Sequence, residues 1–320
     1  MDKHISHSRA RSLWSAARWI TLLFTVGLVA SFWITPNASI RVLWYVLIPL
    51  LPISFLVNVN LWRNVCPLAT LNMLSGNTIG SRRLTKAIAR RTDVVGIILL
   101  SVLVPARHFF FNMDALALGV TVIAVCALAM LGGLLFDMKA GFCNSLCPIL
   151  PVERLYGQRP LLRLSSTRCT SCTACSIRCL DLSPAGFAKG LAKGKNRDRH
   201  WATTTYGAFA LAFPGFITAF YNTSDTEWLN AASVYGFTVL CAVGSWIVLT
   251  VIFLAGRVSR ETALVVCGGF SVGLYYWYTP LAIADQFGLS GAFVWTIRIS
   301  MLGLVGTWFC APRPVRKTVQ

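Results

Sequence analysis

Acidic residues are scarce: eleven Asp and Glu stand against 29 Lys and Arg, and charged residues make up only 12% of 320. An ordinary soluble domain carries about a quarter charged residues, so this chain is not built to face water on all sides. Histidine is scarcer still, at His4, His7, His108 and His200. None sits mid-span with a partner and no C-x-x-C-H run occurs, which leaves haem without ligands. No glycine fingerprint follows a strand pattern, so NAD, FAD and ATP binding have no support. The net charge of +18 comes with no recognition motif or folded basic domain, which argues against a nucleic-acid partner.

Apolar residues, by contrast, make up 56% of the chain. Eight apolar stretches predict eight transmembrane helices at about 19–35, 43–60, 94–112, 115–137, 203–222, 231–255, 262–280 and 290–310. With both termini in the cytoplasm, the inward segments hold 26 of the 29 Lys and Arg, all but Arg41, Arg107 and Arg298. The short outward loops carry Asp114, Asp225, Glu227 and Asp285. That split follows the positive-inside rule and predicts a multi-pass protein of the inner (cytoplasmic) membrane. It also accounts for most of the net charge. A basic inner face suits a soluble acidic ferredoxin or flavodoxin as well. Pro49, Pro52 and Pro214 are expected to kink their helices.

Seven of the eleven cysteines, Cys66, Cys143, Cys147, Cys169, Cys172, Cys175 and Cys179, fall in inward loops. Cytosolic thiols stay reduced, so clustered ones point to metal. Cys169, Cys172, Cys175 and Cys179 read C-x2-C-x2-C-x3-C, the spacing with which bacterial ferredoxins hold a [4Fe–4S] cluster. A zinc site would pair two separated C-x2-C knuckles instead. The remaining four, in or at the ends of spans, read as packing residues.

The first half also repeats itself. C-P-L-A-T-L-N-M-L-S-G at 66–76 aligns with C-P-I-L-P-V-E-R-L-Y-G at 147–157, at a constant offset of 81 residues. Each segment follows an in–out–in hairpin, which predicts a parallel duplication about an axis normal to the membrane. Cys143 precedes Cys147-Pro148 as C-x3-C-P, whereas Trp62 stands at the equivalent position of the first copy.

Over about residues 15–185 these features resemble the membrane polyferredoxins. Those are quinol-linked iron–sulfur membrane proteins of periplasmic nitrate reductase, nitrous oxide reductase and methylamine-utilisation systems. The resemblance rests on Cys66-Pro67, Cys143-x3-Cys147-Pro148 and the 169–179 run. The family pattern has two C-x3-C-P motifs and two ferredoxin runs, so this chain is a degenerate version of it. Two ligand arrangements are open. Cys169, Cys172, Cys175 and Cys179 close one cluster, or Cys147 replaces Cys179 as in two-cluster ferredoxins. In the second case Cys143, Cys179 and Cys66 remain for a second site, one thiolate short of a cubane.

The expected fold is therefore an all-α polytopic membrane protein of about eight transmembrane helices with a small cytoplasmic ferredoxin-like [4Fe–4S] insert. Residues 1–137 form two hairpins with a Cys-Pro loop at 61–92, 138–184 the iron–sulfur segment, 185–202 a basic linker and 203–320 the last four spans. The expected function is electron transfer between the quinone pool, or a membrane partner, and a redox partner protein, as a subunit alongside other membrane or redox subunits. An iron–sulfur sensor or assembly factor, and a transporter or scaffold with a structural cluster, are the alternatives. No side chain is assigned bond-making chemistry. A quinone is the candidate second cofactor, and two places are open to it. Arg107 and His108 lie beside three phenylalanines, where an interfacial aromatic belt explains them equally well. Arg298, mid-span, would contact a quinone, a lipid or a backbone carbonyl.

Overall fold

Cap residues and prolines set where the helices begin. The computed structural model describes the backbone of residues 2–76, 86–136, 141–162, 164 and 199–311, and the side chains of 12–75, 94–136, 141–162, 164 and 200–311. Regular structure among these residues is helical throughout, without a strand. The elements are α1 (Asp2–Ile34), α2 (Pro36–Val42), a π-turn at Leu43–Leu47, α3 (Ile48–Val65) and α4 (Pro67–Gly76). Then follow α5 (Lys86–Leu103), α6 (Ala115–Leu135), α7 (Leu150–Tyr156), α8 (Thr205–Tyr221), α9 (Ala231–Ala255), α10 (Arg260–Phe287) and α11 (Gly291–Cys310). Asp114 caps α6 by accepting from the Leu116 and Ala117 amides, and Thr204 and Ser259 cap α8 and α10 in the same way. Gly288, at φ 64°, supplies the left-handed residue that ends α10.

Among the described residues five helical stretches are long and apolar enough to cross a bilayer: Ser12–Ile34, Pro36–Val65, Ala115–Leu135, Trp228–Ala255 and Gly291–Cys310. Large apolar side chains line their outsides, such as Leu23 on α1, Leu240 on α9 and Ile299 on α11, each about two-thirds exposed or more. Only a lipid environment tolerates that much uncovered apolar surface. The other three expected spans also fold as helix but fall short of the same standard. Val94–His108 and the 17-residue α8 are short, and α10 is less apolar.

The C-terminal helices build the main core. α8 packs between α9 and α10, and α10 also packs on α11. Their buried faces close over α7, whose Leu155 and Tyr156 are inaccessible. Trp308 Nε1 donates to the Tyr156 carbonyl at 3.1 Å, and Gln158 Nε2 donates to the Leu155 and Leu264 carbonyls. The last four helices therefore clamp the segment that follows the second Cys-Pro motif. Trp201 and Ala202 of the expected linker belong to this core. They lie in a 3-10 turn, Arg199–Thr203, in which Trp201 is buried.

The α3 helix departs from regular geometry at two levels. Tyr276 Oη stands between Pro49 and Ile53, donating to the Pro49 carbonyl at 2.5 Å and accepting from the Ile53 amide at 3.1 Å. A side chain thus enters the i→i−4 ladder, a standard cause of helix distortion. Farther along, Asn58 is extended (φ −172°, ψ 128°). The Leu56 and Val57 carbonyls freed around this break accept from the Leu161 and Leu162 amides, while Asn58 and Asn60 donate to the Leu162 and Leu164 carbonyls. One irregularity thus lies at Pro49–Ile53, beside the prolines, and the non-helical residue is Asn58, while α8 runs on past Pro214.

The hairpin repeat has a physical signature. α4 packs on α6 of the second hairpin, and its equivalent α7 packs on α3 of the first. Arg63 Nη2 donates to Asn144 Oδ1 at 2.8 Å, and these residues are 81 apart, each in the place of the other. A contact between equivalent residues is what two hairpins related by a two-fold axis would give.

Candidate functional site

Two clusters of functional side chains lie at opposite ends of α3. At its C-terminal end Cys66 leaves the helix (φ −52°, ψ 122°) and Pro67 opens α4. The second copy forms a tight turn in which the Ser145, Leu146 and Cys147 amides all point at the Phe142 carbonyl. Phe142 and Cys143 are buried against Ala69 of α4 and Ala129 of α6, with Cys66 and Cys147 at the edge of the same cluster. The two halves are tied by Arg63, which donates to Glu153 at 2.7 Å with side chains 5% and 3% exposed. Burial pushes the Cys147 thiol well above its ordinary value, and the nearby charges of Glu153, Cys143 and Cys66 add to this. Arg18 reaches the same place, its Nε donating to the Asn64 carbonyl.

Cys66, Cys143 and Cys147 thus share one neighbourhood, as the repeat predicts. Among the described residues no three metal-ligating side chains are grouped to hold an ion, so these thiols do not make a ligand set by themselves. Cys169, Cys172, Cys175 and Cys179 lie outside the described residues. The chain leading toward them is anchored, because 161–164 is the segment bonded into the α3 break.

Compared with protein-family models, curated proteins and solved structures, the chain matches none.

At the other end lie Arg107, half-buried, and His108, buried. They line a cavity of about 150 Å³ with Trp44, Tyr45, Phe220 and Tyr221. His108 is 8% exposed. Its Nδ1 lies 2.8 Å from Asp225 Oδ1, and Asn112 donates to the other carboxylate oxygen at 2.8 Å. Burial raises the Asp225 carboxyl, but hydrogen bonds from His108 and Asn112 and the Arg107 charge outweigh it, leaving the group below its ordinary value. Arg107 Nε donates to Asn112 Oδ1 at 3.0 Å. Its guanidinium carbon lies 4.7 Å from the Trp44 ring centre and 5.2 Å from that of Tyr45. Behind the rings Tyr221 Oη and Thr279 Oγ1 are 2.6 Å apart.

Sequence reasoning named Arg107 and His108 but not Asp225, which lies 117 residues from His108. Its one available signal was the place of Asp225 in a short outward loop, at the same end as His108.

Of the contacts expected for Arg298, the one to a backbone carbonyl is present. Its Nε donates to the Trp277 carbonyl at 2.8 Å, and its guanidinium lies over the Trp277 and Trp295 rings. No cavity opens beside it that would hold a ring.

Proposed function

We infer that the chain is a membrane-bound iron–sulfur electron-transfer protein. It passes electrons between the quinone pool, or a membrane partner, and a redox partner protein. The observation that carries this reading is the C-x2-C-x2-C-x3-C run at Cys169, Cys172, Cys175 and Cys179. Three thiolates at successive two-residue gaps suit the corners of one [4Fe–4S] cube, and a fourth comes from Cys179 or Cys147. Bound there, the cluster supplies a one-electron couple.

The surroundings support the assignment. The chain enters the segment from a rigid point, since Leu161, Leu162 and Leu164 are bonded to α3. Arg18, Arg63, Arg154 and Arg159 gather at this end and Asp114, Asp225, Glu227 and Asp285 belong to the other, so the cysteine end is taken as cytoplasmic. The many Lys and Arg of the inward segments, rather than these covered arginines, would attract an acidic soluble carrier.

The test uses cysteine variants of oxygen-free protein. Cys172→Ser abolishes the low-temperature EPR signal of the reduced cluster if the assignment is right. An unchanged signal refutes it. Cys179→Ser and Cys147→Ser then identify the fourth ligand, because only the true one changes the spectrum.

A further inference from the structure

The cavity at His108 lies at the other end of α3 from Cys66. Tyr45 and Cys66 are 21 residues apart along α2–α3, about 30 Å of helix. Nothing in the electron-transfer reading requires an acid–imidazole pair there, yet the pair is built with care, a buried His108 against an exposed Asp225. Asp225 is fixed on two sides, by His108 and by Asn112. The Thr226 amide donates to the His108 carbonyl at 2.9 Å, which ties the loop to the histidine backbone. His108 Nε2, the atom on the far side of the ring, is buried and has no hydrogen-bond partner among the described residues.

The chemistry of that atom follows from its partners. A carboxylate beside Nδ1 requires a proton on Nδ1. When the imidazole is neutral, Nε2 then carries the lone pair. The free atom is therefore an acceptor waiting for a donor. Its surroundings are aromatic: Trp44, Tyr45 and Phe220, with the Phe220 ring centre 4.6 Å from that of His108. Arg107 completes the wall, and its Nη atoms have no acceptor among the described residues. The other ionisable groups facing the space are Asp225, Tyr45 and Tyr221. Arg107 and Asp225 cancel, so the cavity holds no net charge to attract an anion.

We propose that this cavity binds a hydroxylated aromatic ring, with the ring hydroxyl donating to His108 Nε2 and a second ring oxygen accepting from Arg107. A space of about 150 Å³ accommodates a benzene-sized ring. The ring meets aromatic faces on its flat sides and polar groups only at its oxygens. The geometry asks for any such ring; choosing a hydroquinone as its natural form rests on the proposed link to the quinone pool.

The experiment is calorimetric titration of the full-length protein in detergent, without oxygen, with a short-chain hydroquinone and with its dimethyl ether. The ether keeps the ring and lacks the donated proton. The hydroquinone binds one per chain and the ether at least about tenfold more weakly. His108→Ala removes that discrimination. Asp225→Asn, which preserves the shape, weakens hydroquinone binding severalfold and guards against misreading a folding defect. Cys172→Ser binds like the wild type, so loss of the cluster reading leaves this result standing. Equal affinity for hydroquinone and ether overturns the proposal, as does unchanged binding in His108→Ala. Displacement by phosphatidylglycerol or inorganic phosphate, with no hydroquinone binding, assigns the cavity to an anion instead and also overturns it.

Discussion

Replacing Arg63 by Met tests what holds the two Cys-Pro motifs together. The guanidinium makes two charge-assisted hydrogen bonds, to Glu153 at 2.7 Å and to Asn144 at 2.8 Å, in a place where both charged side chains are at least 95% buried. Removing one partner of a buried ion pair costs about 3–5 kcal/mol, because the carboxylate is left in a low dielectric without its counter-charge. Glu153 has other contacts, which places the expected loss at the lower end, about 3 kcal/mol. That is a roughly hundredfold shift in the folding equilibrium at about 1.4 kcal/mol per tenfold. Replacing both residues, as Arg63→Met with Glu153→Leu, recovers at least half of the loss, since an apolar pair carries no stranded charge. Unfolding in mixed micelles with increasing SDS, followed by tryptophan fluorescence, reads both variants. An Arg63→Met protein within about 0.5 kcal/mol of the wild type would refute the reasoning.

Three further outcomes follow from single contacts. Tyr276→Phe strands the Ile53 amide and the Pro49 carbonyl, and costs about 1–3 kcal/mol by the same unfolding assay; no loss would mean that the ladder closes without the hydroxyl. Gly133→Ala places a methyl group inside the Asn72 carbonyl and the Ser75 hydroxyl, driving α4 off α6 at a cost of about 1–3 kcal/mol. Gly244→Ala, on an open helix face, is neutral or slightly stabilising, and equal effects at the two sites would contradict the packing. The Asp225 carboxyl is held below its ordinary value in the fold, so its contribution is complete above about pH 4 and is lost as pH falls through the lower folded value. Unfolding measured from neutral to acid pH shows this slope in the wild type and a shallower one in Asp225→Asn.

The sequence announces the helices because lipid and buried faces alike demand apolar runs. α9 begins and ends where its run does, at 231 and 255, and α11 nearly so. The offset of 81 was legible for a similar reason, since both copies repeat the same Cys-Pro turn after a hairpin. Its consequence, Arg63 meeting Asn144, was not, because neither side chain is conspicuous in its own copy. The break at Asn58 was hidden too. Prolines advertise kinks, whereas an asparagine breaks a helix only when a distant segment, here 161–164, takes up the freed carbonyls. A helix can also be apolar for the sake of the protein core, which is why the run at 203–222 is a weaker span signal: α8 is 17 residues long and mostly buried between α9 and α10. The His108–Asp225 pair lay beyond reach for the plainest reason. Local patterning does not reveal which loop will fold over which helix end.

Iron and acid-labile sulfide, counted per chain in protein purified without oxygen, bear most directly on the central claim. The account predicts about four of each, with an EPR signal on reduction that vanishes in Cys172→Ser. Colourless protein containing zinc, or no metal, would contradict it.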